Sequence, residues 1–241
     1  MKNSWRFIFL FSSLLVVNSA FAFDNYKFSP TAESTFPLFV GGGLKMSAYE
    51  KLDIGISYGV TPKPYYQVIG SASAHFGDDP DYKEIIKAAF QDNSQWRAHW
   101  QYNFQGKTGW NFGTSGAKLE SSGKASIDKV LGAINGKDYT QLKNLLTALG
   151  KSTDVSMDSD LTIGEIFGGY TWSLGHSFYG QVTLGVAKVL SADVKIKTGL
   201  PNYEASANGS ALLRSTESDL ENIITENGIT PTLGLKVSYE F

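Results

Sequence analysis

The sequence predicts an all-β fold, an eight-stranded antiparallel transmembrane β-barrel with short amphipathic helices in its long outer loops. Three observations predict it: segments in which apolar and polar residues alternate, connections of alternating length, and a short apolar segment at the start that is typical of export. The clearest strand is WRAHWQYNF at 96–104, whose apolar face carries two Trp, a Tyr and a Phe. Side chains of that size would overfill a small barrel interior, so this face is expected to point outward to lipid and the polar face to line the lumen.

Seven further segments alternate in the same way and are interpreted as strands. The eight predicted strands cover residues 38–46, 52–60, 66–76, 96–104, 110–118, 161–174, 178–197 and 232–241. The connections that follow the second, fourth and sixth strands are short, whereas 77–95, 119–160 and 198–228 are long, as expected for periplasmic turns and outer loops. Only the short connection at 49–51 breaks this alternation. A hairpin hidden in 119–160 would make ten strands, which is the alternative.

The first residues have the pattern of a secretion signal. Lys2 and Arg6 precede an apolar run at 7–17, and Ala20-Phe21-Ala22 is a typical cleavage site. The alternative interpretation is an N-terminal anchor helix, but the run is too short to cross a membrane. We therefore divide the chain into a signal peptide (1–22), a periplasmic N-terminal segment (23–35) and the barrel (36–241).

Composition limits the possible partners. Loss of Lys2 and Arg6 with the signal peptide changes the formal net charge from −2 to −4, which gives no indication of nucleic-acid binding. The sequence has no cysteine, so an exported chain would carry neither disulfides nor a lipoprotein anchor.

The last strand ends in an alternating apolar row, Leu233, Leu235, Val237, Tyr239 and Phe241. With the signal peptide and the amphipathic strands, this ending resembles the small, eight-stranded outer-membrane β-barrel proteins of bacteria. The resemblance implies a location in the bacterial cell outer membrane. It also implies that the barrel-assembly machinery recognises Tyr239 and Phe241 as an assembly signal during biogenesis.

The long connections contain apolar residues at helical spacing. A helix is predicted after Asp79-Pro80 in the first, two stripes at 127–134 and 142–149 in the second, and one around Leu220 and Ile224 in the third. These segments either pack on one another over the barrel or form a surface for an extracellular ligand or partner.

The polar strand faces place a charge network in the lumen. Its predicted members are Lys45, Asp53, Arg97, His99, Glu165, Asp193, Lys195, Lys236 and Glu240. Because an eight-stranded interior is just wide enough for side chains, we expect paired charges that fill it. A narrow polar pathway or a small-ligand site is the alternative. Glu165 and Asp53 are both candidate partners of Arg97.

The sequence gives little support for metal binding or catalysis. His75 and His99 face the same side of neighbouring predicted strands, but no third ligand accompanies them, so we expect hydrogen-bonded histidines and no cofactor. The sequence has no G-x-S-x-G motif and no outward cluster of Ser, His and carboxylate, so we expect no enzyme.

The predicted function is therefore that of a membrane-anchored scaffold. It would be surrounded by outer-membrane lipid, and its loops 77–95, 119–160 and 198–228 would interact outside the cell. Two alternatives stay open: a narrow channel or carrier for small or apolar solutes, and a lipid A-modifying enzyme, since some barrels of the resembling class act on lipid A acyl chains.

Overall fold

A computed structural model describes residues 26–65, 92–126, 128, 140–148, 154–198 and 207–241. Eight strands form a closed antiparallel ring in chain order, and the last strand pairs with the first. The strands are β1 (Tyr26–Phe36), β2 (Phe39–Ala48), β3 (Leu52–Val60), β4 (Asp92–Asn103), β5 (Gly109–Ser126), β6 (Asp154–Gly175), β7 (Phe178–Lys197) and β8 (Ile229–Tyr239). The predicted fold class is confirmed.

The first strand of the ring is one that the sequence interpretation missed. Residues 26–36, predicted to be mostly a periplasmic segment, form β1 and pair with β2 on one side and β8 on the other. The outward face of β1 contains Pro30, Ala32 and Ser34 between its aromatic ends, so it lacks the apolar row that marks the other strands. The predicted strand at 66–76 lies outside the described residues, and β3 pairs directly with β4.

This change of strand order removes the irregularity in loop length. The connections 49–51, 104–108 and 176–177 now lie together at one end of the ring, which we call the short-turn end. The strand ends that the three long connections (61–91, 127–153 and 198–228) join lie at the opposite end, together with the tight turn at 37–38. The ring therefore has the distribution of turns and loops that is typical of barrels in bacterial outer membranes.

An apolar band surrounds the outside of the ring. Its exposed side chains alternate with buried ones along most of the strands and include Ile54, Ile56, Trp100, Phe112, Ile166, Leu184, Val186, Leu233 and Leu235. Aromatic pairs border the band at the short-turn end, among them Trp110 with Tyr170 and Phe178 with Tyr239. Tyr58 and Trp96, with ring centroids 4.8 Å apart, border it at the other end.

Beyond this band the strands continue as an extension, formed by the end of β5 from Lys118, the start of β6 up to Thr162 and the end of β7 after Leu190. In this extension the apolar and polar faces of the strands are exchanged. β6 has 22 residues, about twice the 9–11 that a strand needs to cross a bilayer. In the extension the outward face carries charges such as Lys118 and Asp160, while the inward face carries buried apolar side chains such as Leu119 and Leu161. The same strands therefore have an apolar exterior in one half and an apolar interior in the other.

A β-bulge accompanies this reversal in β7. The register between β6 and β7 shifts between Thr162 and Ile163, where Leu190 is the extra residue. Before the bulge, odd-numbered residues such as Gln181 are buried; after it, even-numbered ones such as Val194 are buried. An extra residue turns every following side chain to the opposite face.

Among the described residues of the long connections, the longer helices are α1 (Thr140–Ala148) and α2 (Ala207–Asn227). They confirm the helices predicted at 142–149 and around Leu220 and Ile224; the helix predicted after Asp79 and, apart from Asp128, the stripe at 127–134 lie outside the described residues. Among the described residues no helix combines the length and apolar character needed to cross a membrane.

Helix α2 packs along the part of β7 that β8 does not reach. β8 begins opposite Lys188, and the Val189 N–H still donates to the Gly228 carbonyl (2.8 Å), so the β7 backbone beyond Val189 has an edge on this side that β8 leaves free. Glu221 accepts a hydrogen bond from the Val194 N–H (2.9 Å) and Glu217 accepts one from the Ile196 N–H (2.8 Å). Two carboxylates one helical turn apart thus satisfy donors that a strand would otherwise pair.

Candidate functional site: the barrel lumen

Three ion pairs occupy the middle of the lumen. Lys45 lies 3.3 Å from Asp53, Lys236 lies 3.3 Å from Glu33, and Arg97 contacts Glu165. Each side chain comes from the inward face of its strand. Equal numbers of cations and anions satisfy the requirement that buried charges be paired.

The Arg97–Glu165 pair has the most hydrogen bonds of the three. Arg97 donates to Glu165, to the Ser115 hydroxyl (3.1 Å) and to the Thr35 hydroxyl (2.6 Å). Glu165 also accepts from Ser115 (2.8 Å) and Thr232 (2.7 Å). The pair itself joins β4 to β6, and the three hydroxyls that surround it come from β1, β5 and β8.

Uncharged polar side chains fill the lumen toward the short-turn end. Asp53 accepts a hydrogen bond from Asn103 (3.1 Å), and Gln181 donates to both Gln101 (2.7 Å) and Asn111 (3.1 Å). All five side chains are buried. This network crosses the lumen from β3 to β7 and leaves its width filled by hydrogen-bonded groups.

An apolar layer lies on the other side of the ion pairs. Its buried members lie on β5, β6 and β7, and partly buried residues from the turn 37–38 and from α2 pack against them. The layer consists of Ala117, Leu119, Leu161, Ile163 and Ala187, with Leu38, Val189, Ala192 and Ile224 around them.

Two inward phenylalanines complete the filling. Phe39 is 0% exposed, and the Arg97 guanidinium carbon lies 5.8 Å from its ring centroid. Glycines on neighbouring strands make room for them: a Cβ at Gly59 would lie 2.7 Å from the Phe39 ring, and one at Gly113 would lie 2.6 Å from the Phe167 ring. These two glycines therefore provide space for aromatic side chains.

A separate charge cluster lies at the short-turn end. Glu240 accepts from Lys107 (2.7 Å) and Lys27 (2.9 Å), and Lys107 also lies 3.5 Å from Glu50. Burial of Glu240 acts to raise its pKa, but the two ammonium groups outweigh that effect and hold the pKa below its usual value. Burial acts to lower the pKa of Lys107, but the contact with Glu240 outweighs it and raises that pKa.

Two predicted lumen residues lie outside it. Asp193 and Lys195 are exposed on the outer face of the extension, 3.4 Å from each other, because the bulge at Leu190 turns this part of β7 over. They border a depression of about 450 Å³ on the outer face, which Glu120, Asp158 and Asp160 also line. The even-numbered residues are apolar on both sides of the bulge, from Val182, Leu184 and Val186 to Val194 and Ile196, with Lys188 as the charged exception, so the sequence pattern does not reveal the bulge.

The remaining predicted residues are distributed over the lumen and its ends. Lys45, Asp53, Arg97, Glu165 and Lys236 face the lumen in the ion pairs described above, and His99 joins them with its Nε2 3.2 Å from the Lys236 Nζ. Glu240 lies at the short-turn end, where Tyr239 contacts both Phe178 and Phe241. His75 lies outside the described residues. An assembly role of Tyr239 and Phe241 stays a prediction.

Sequence reasoning missed Glu33, Phe39 and Phe167 as lumen residues. Glu33 was missed with its strand, although the alternation of polar Lys27, Ser29, Thr31, Glu33 and Thr35 was a usable signal. The two phenylalanines stand at inward positions, where an aromatic residue is not expected until the neighbouring glycines are known.

The structure is similar to several solved outer-membrane proteins. One is the N-terminal β-barrel domain of Pseudomonas aeruginosa OprF, at 11% identity and a TM-score of 0.40, covering 90% of this chain and 97% of that one. Another is Acinetobacter baumannii CarO2, at 12% identity and a TM-score of 0.40, covering 89% and 98%. A third is a major outer membrane protein from Thermus thermophilus, at 10% identity and a TM-score of 0.35, covering 90% and 99%.

No protein-family model and no curated protein matches the chain. The closed eight-stranded ring is therefore established by the register of its own strands.

Proposed function

We propose that this protein is a closed, non-enzymatic barrel of the bacterial outer membrane that serves as a membrane-anchored scaffold. The apolar band would contact outer-membrane lipid, and the barrel-assembly machinery would insert the chain. The extension, α2 and the long connections would be held outside the cell, where they interact with a ligand or partner.

One observation carries this proposal: the lumen is filled along its length. Ion pairs occupy its middle, a hydrogen-bonded network lies on one side and an apolar layer on the other. Among the described residues, the cavity beside the ion pairs measures about 20 Å³, close to the room that one water molecule needs. A lumen of this kind supports anchoring and opposes the channel alternative.

Conductance across a planar bilayer tests the proposal. The protein, shown to be folded by its heat-modifiable migration, should produce no steady current. A general porin inserted under the same conditions is the positive control. A stable, porin-sized current from the folded protein would refute the closed scaffold and favour the channel alternative.

A further inference from the structure

The imidazole of His99 is buried in the lumen. This residue lies on β4, is 4% exposed, and has Nε2 3.2 Å from the Lys236 Nζ. Lys236 is also paired with Glu33, at 3.3 Å. An ammonium group has no acceptor, so Nε2 must accept the hydrogen bond and the ring proton must lie on Nδ1.

The Nδ1–H group is left without a partner. Among the protein atoms that the structure describes, His99 Nδ1 is buried and has no hydrogen-bond acceptor. Ser29 Oγ and Thr31 Oγ1, on the inward face of β1, are also buried and have no hydrogen-bond partner among these atoms. Ser29 lies in the same cross-strand row as His99, through Lys45 and Gly55. These two hydroxyls lie three strands away, so the donor that needs an acceptor beside His99 is its own Nδ1–H, and a bound molecule that can form hydrogen bonds would supply that acceptor.

A small cavity lies beside the imidazole. It measures about 20 Å³ and is lined by His99, Lys236, Glu33, Arg97 and Thr183, among others. This volume accommodates one water molecule and excludes a larger solute. The charges around it are balanced, because Lys236 is paired with Glu33 and Arg97 with Glu165, so an ion would find no net opposite charge.

We propose that this cavity is a specific water-binding site, in which one water accepts a hydrogen bond from His99 Nδ1–H. The water and Lys236 together fix the ring as its neutral Nδ1–H tautomer. The proposed function requires only that the lumen be closed. The water site adds one bound molecule to that lumen, and it does not depend on the proposed function.

Nuclear magnetic resonance of the full chain, labelled with ¹⁵N-histidine and refolded in detergent micelles, tests the site. His99 should show a protonated Nδ1 and an unprotonated Nε2, and its Hδ1 should give a cross-peak to a long-lived water. His176 in the exposed turn is the internal reference and should show no such water. An Nε2–H tautomer, a doubly protonated ring, or an Hδ1 without a water cross-peak would overturn the proposal.

A variant and a second method separate the two contacts. Lys236→Met removes the donor to Nε2, so the Nε2–H tautomer should become populated; an unchanged tautomer would refute the role of Lys236.

A high-resolution crystal structure of the wild-type protein should show a water within hydrogen-bond distance of His99 Nδ1. A dry cavity there, or an anomalous signal from bromide after soaking, would overturn the water assignment.

Discussion

Arg97 shows how one charged side chain is kept inside the barrel. It is 8% exposed and uses separate nitrogens for Glu165, Ser115 and Thr35. The delocalised guanidinium also lies over the Phe39 ring. Each donor is directed to an acceptor that a different strand supplies, so the residue joins several strands at once.

Removal of Arg97 should therefore destabilise the protein strongly. Arg97→Ala leaves Glu165 as an uncompensated buried charge, for which a loss of roughly 3–5 kcal/mol in unfolding free energy is expected. The double variant Arg97→Met/Glu165→Gln should lose less than Arg97→Ala, since no lone charge remains. Urea unfolding followed by tryptophan fluorescence in lipid vesicles measures both.

Lys195→Ala is the matched control. Its pair with Asp193 is exposed on the outer face, so the loss should be within about 1 kcal/mol. Equal losses for Arg97→Ala and Lys195→Ala would show that Arg97 is not held by the buried network.

Glu240 gives a pH dependence with a definite sign. Lys107 and Lys27 hold its pKa below the usual 4.5, so the carboxylate stabilises the folded state above that value, and the contribution is lost as the pH falls through the lowered pKa. Wild type should exceed Glu240→Gln in unfolding free energy at neutral pH, and the difference should disappear in acid. Lys107→Gln removes one partner and should reduce the same difference. A difference that stays constant into acid would contradict this account.

Among the elements, helix α2 has two roles, because β8 starts too late to cover the end of β7. Its carboxylates bond the free edge of β7, while Leu220 is buried at 3% exposure and Ile224 packs against the apolar layer of the lumen. An uncovered edge strand is a site for unwanted pairing with other chains. The helix thus replaces the missing part of a strand and also completes the apolar layer.

Loss of the two carboxylates should expose this edge. In Glu217→Ala/Glu221→Ala, amide hydrogen exchange at Val194 and Ile196 should become faster, because both N–H groups lose their acceptors. The Gln variants keep an acceptor oxygen at each position and should be affected less. Asp219→Ala, on the exposed face of α2, should leave exchange at both amides unchanged; faster exchange in that control would mean that helix stability, and not edge capping, is being measured.

The elements also show which parts of the fold are predictable from sequence. β3 is predicted to the residue, because apolar residues at Leu52, Ile54 and Ile56 alternate with small or polar ones in a uniform environment. β1 was missed because small outward residues give no apolar signal. In β7 two changes cancel. At the bulge the apolar side of the strand changes from the outside of the barrel to the inside, and the even-numbered side chains turn from the outside to the inside as well. The even-numbered residues therefore stay mostly apolar, while Asp193 and Lys195 lie outside. Pairing choices, such as Glu165 over Asp53 for Arg97, depend on register between strands, which no single segment encodes.

For the whole molecule, the proposed orientation can be tested because the natural chain has no thiol. Ser218→Cys places one on an exposed position of α2, and Gln105→Cys places one in an exposed turn at the short-turn end. A membrane-impermeant maleimide should label Ser218→Cys on intact cells, and should label Gln105→Cys only after the outer membrane is permeabilised. The reverse pattern would invert the orientation, and labelling of neither variant on intact cells would place the extension away from the cell surface.

The charged outer face of the extension has a consequence for how such a molecule could be assembled. In the proposed orientation these side chains must be transferred across the bilayer, and each basic one costs roughly 2–4 kcal/mol at the midplane of the lipid. They include Lys118, Glu120, Asp158, Asp160, Asp193, Lys195 and Lys197. Translocation therefore has to take place through a hydrated route while the ring is open. The β1–β8 seam has the shortest register of the ring, from Thr31 to Phe36, and its closure would be the last step of insertion.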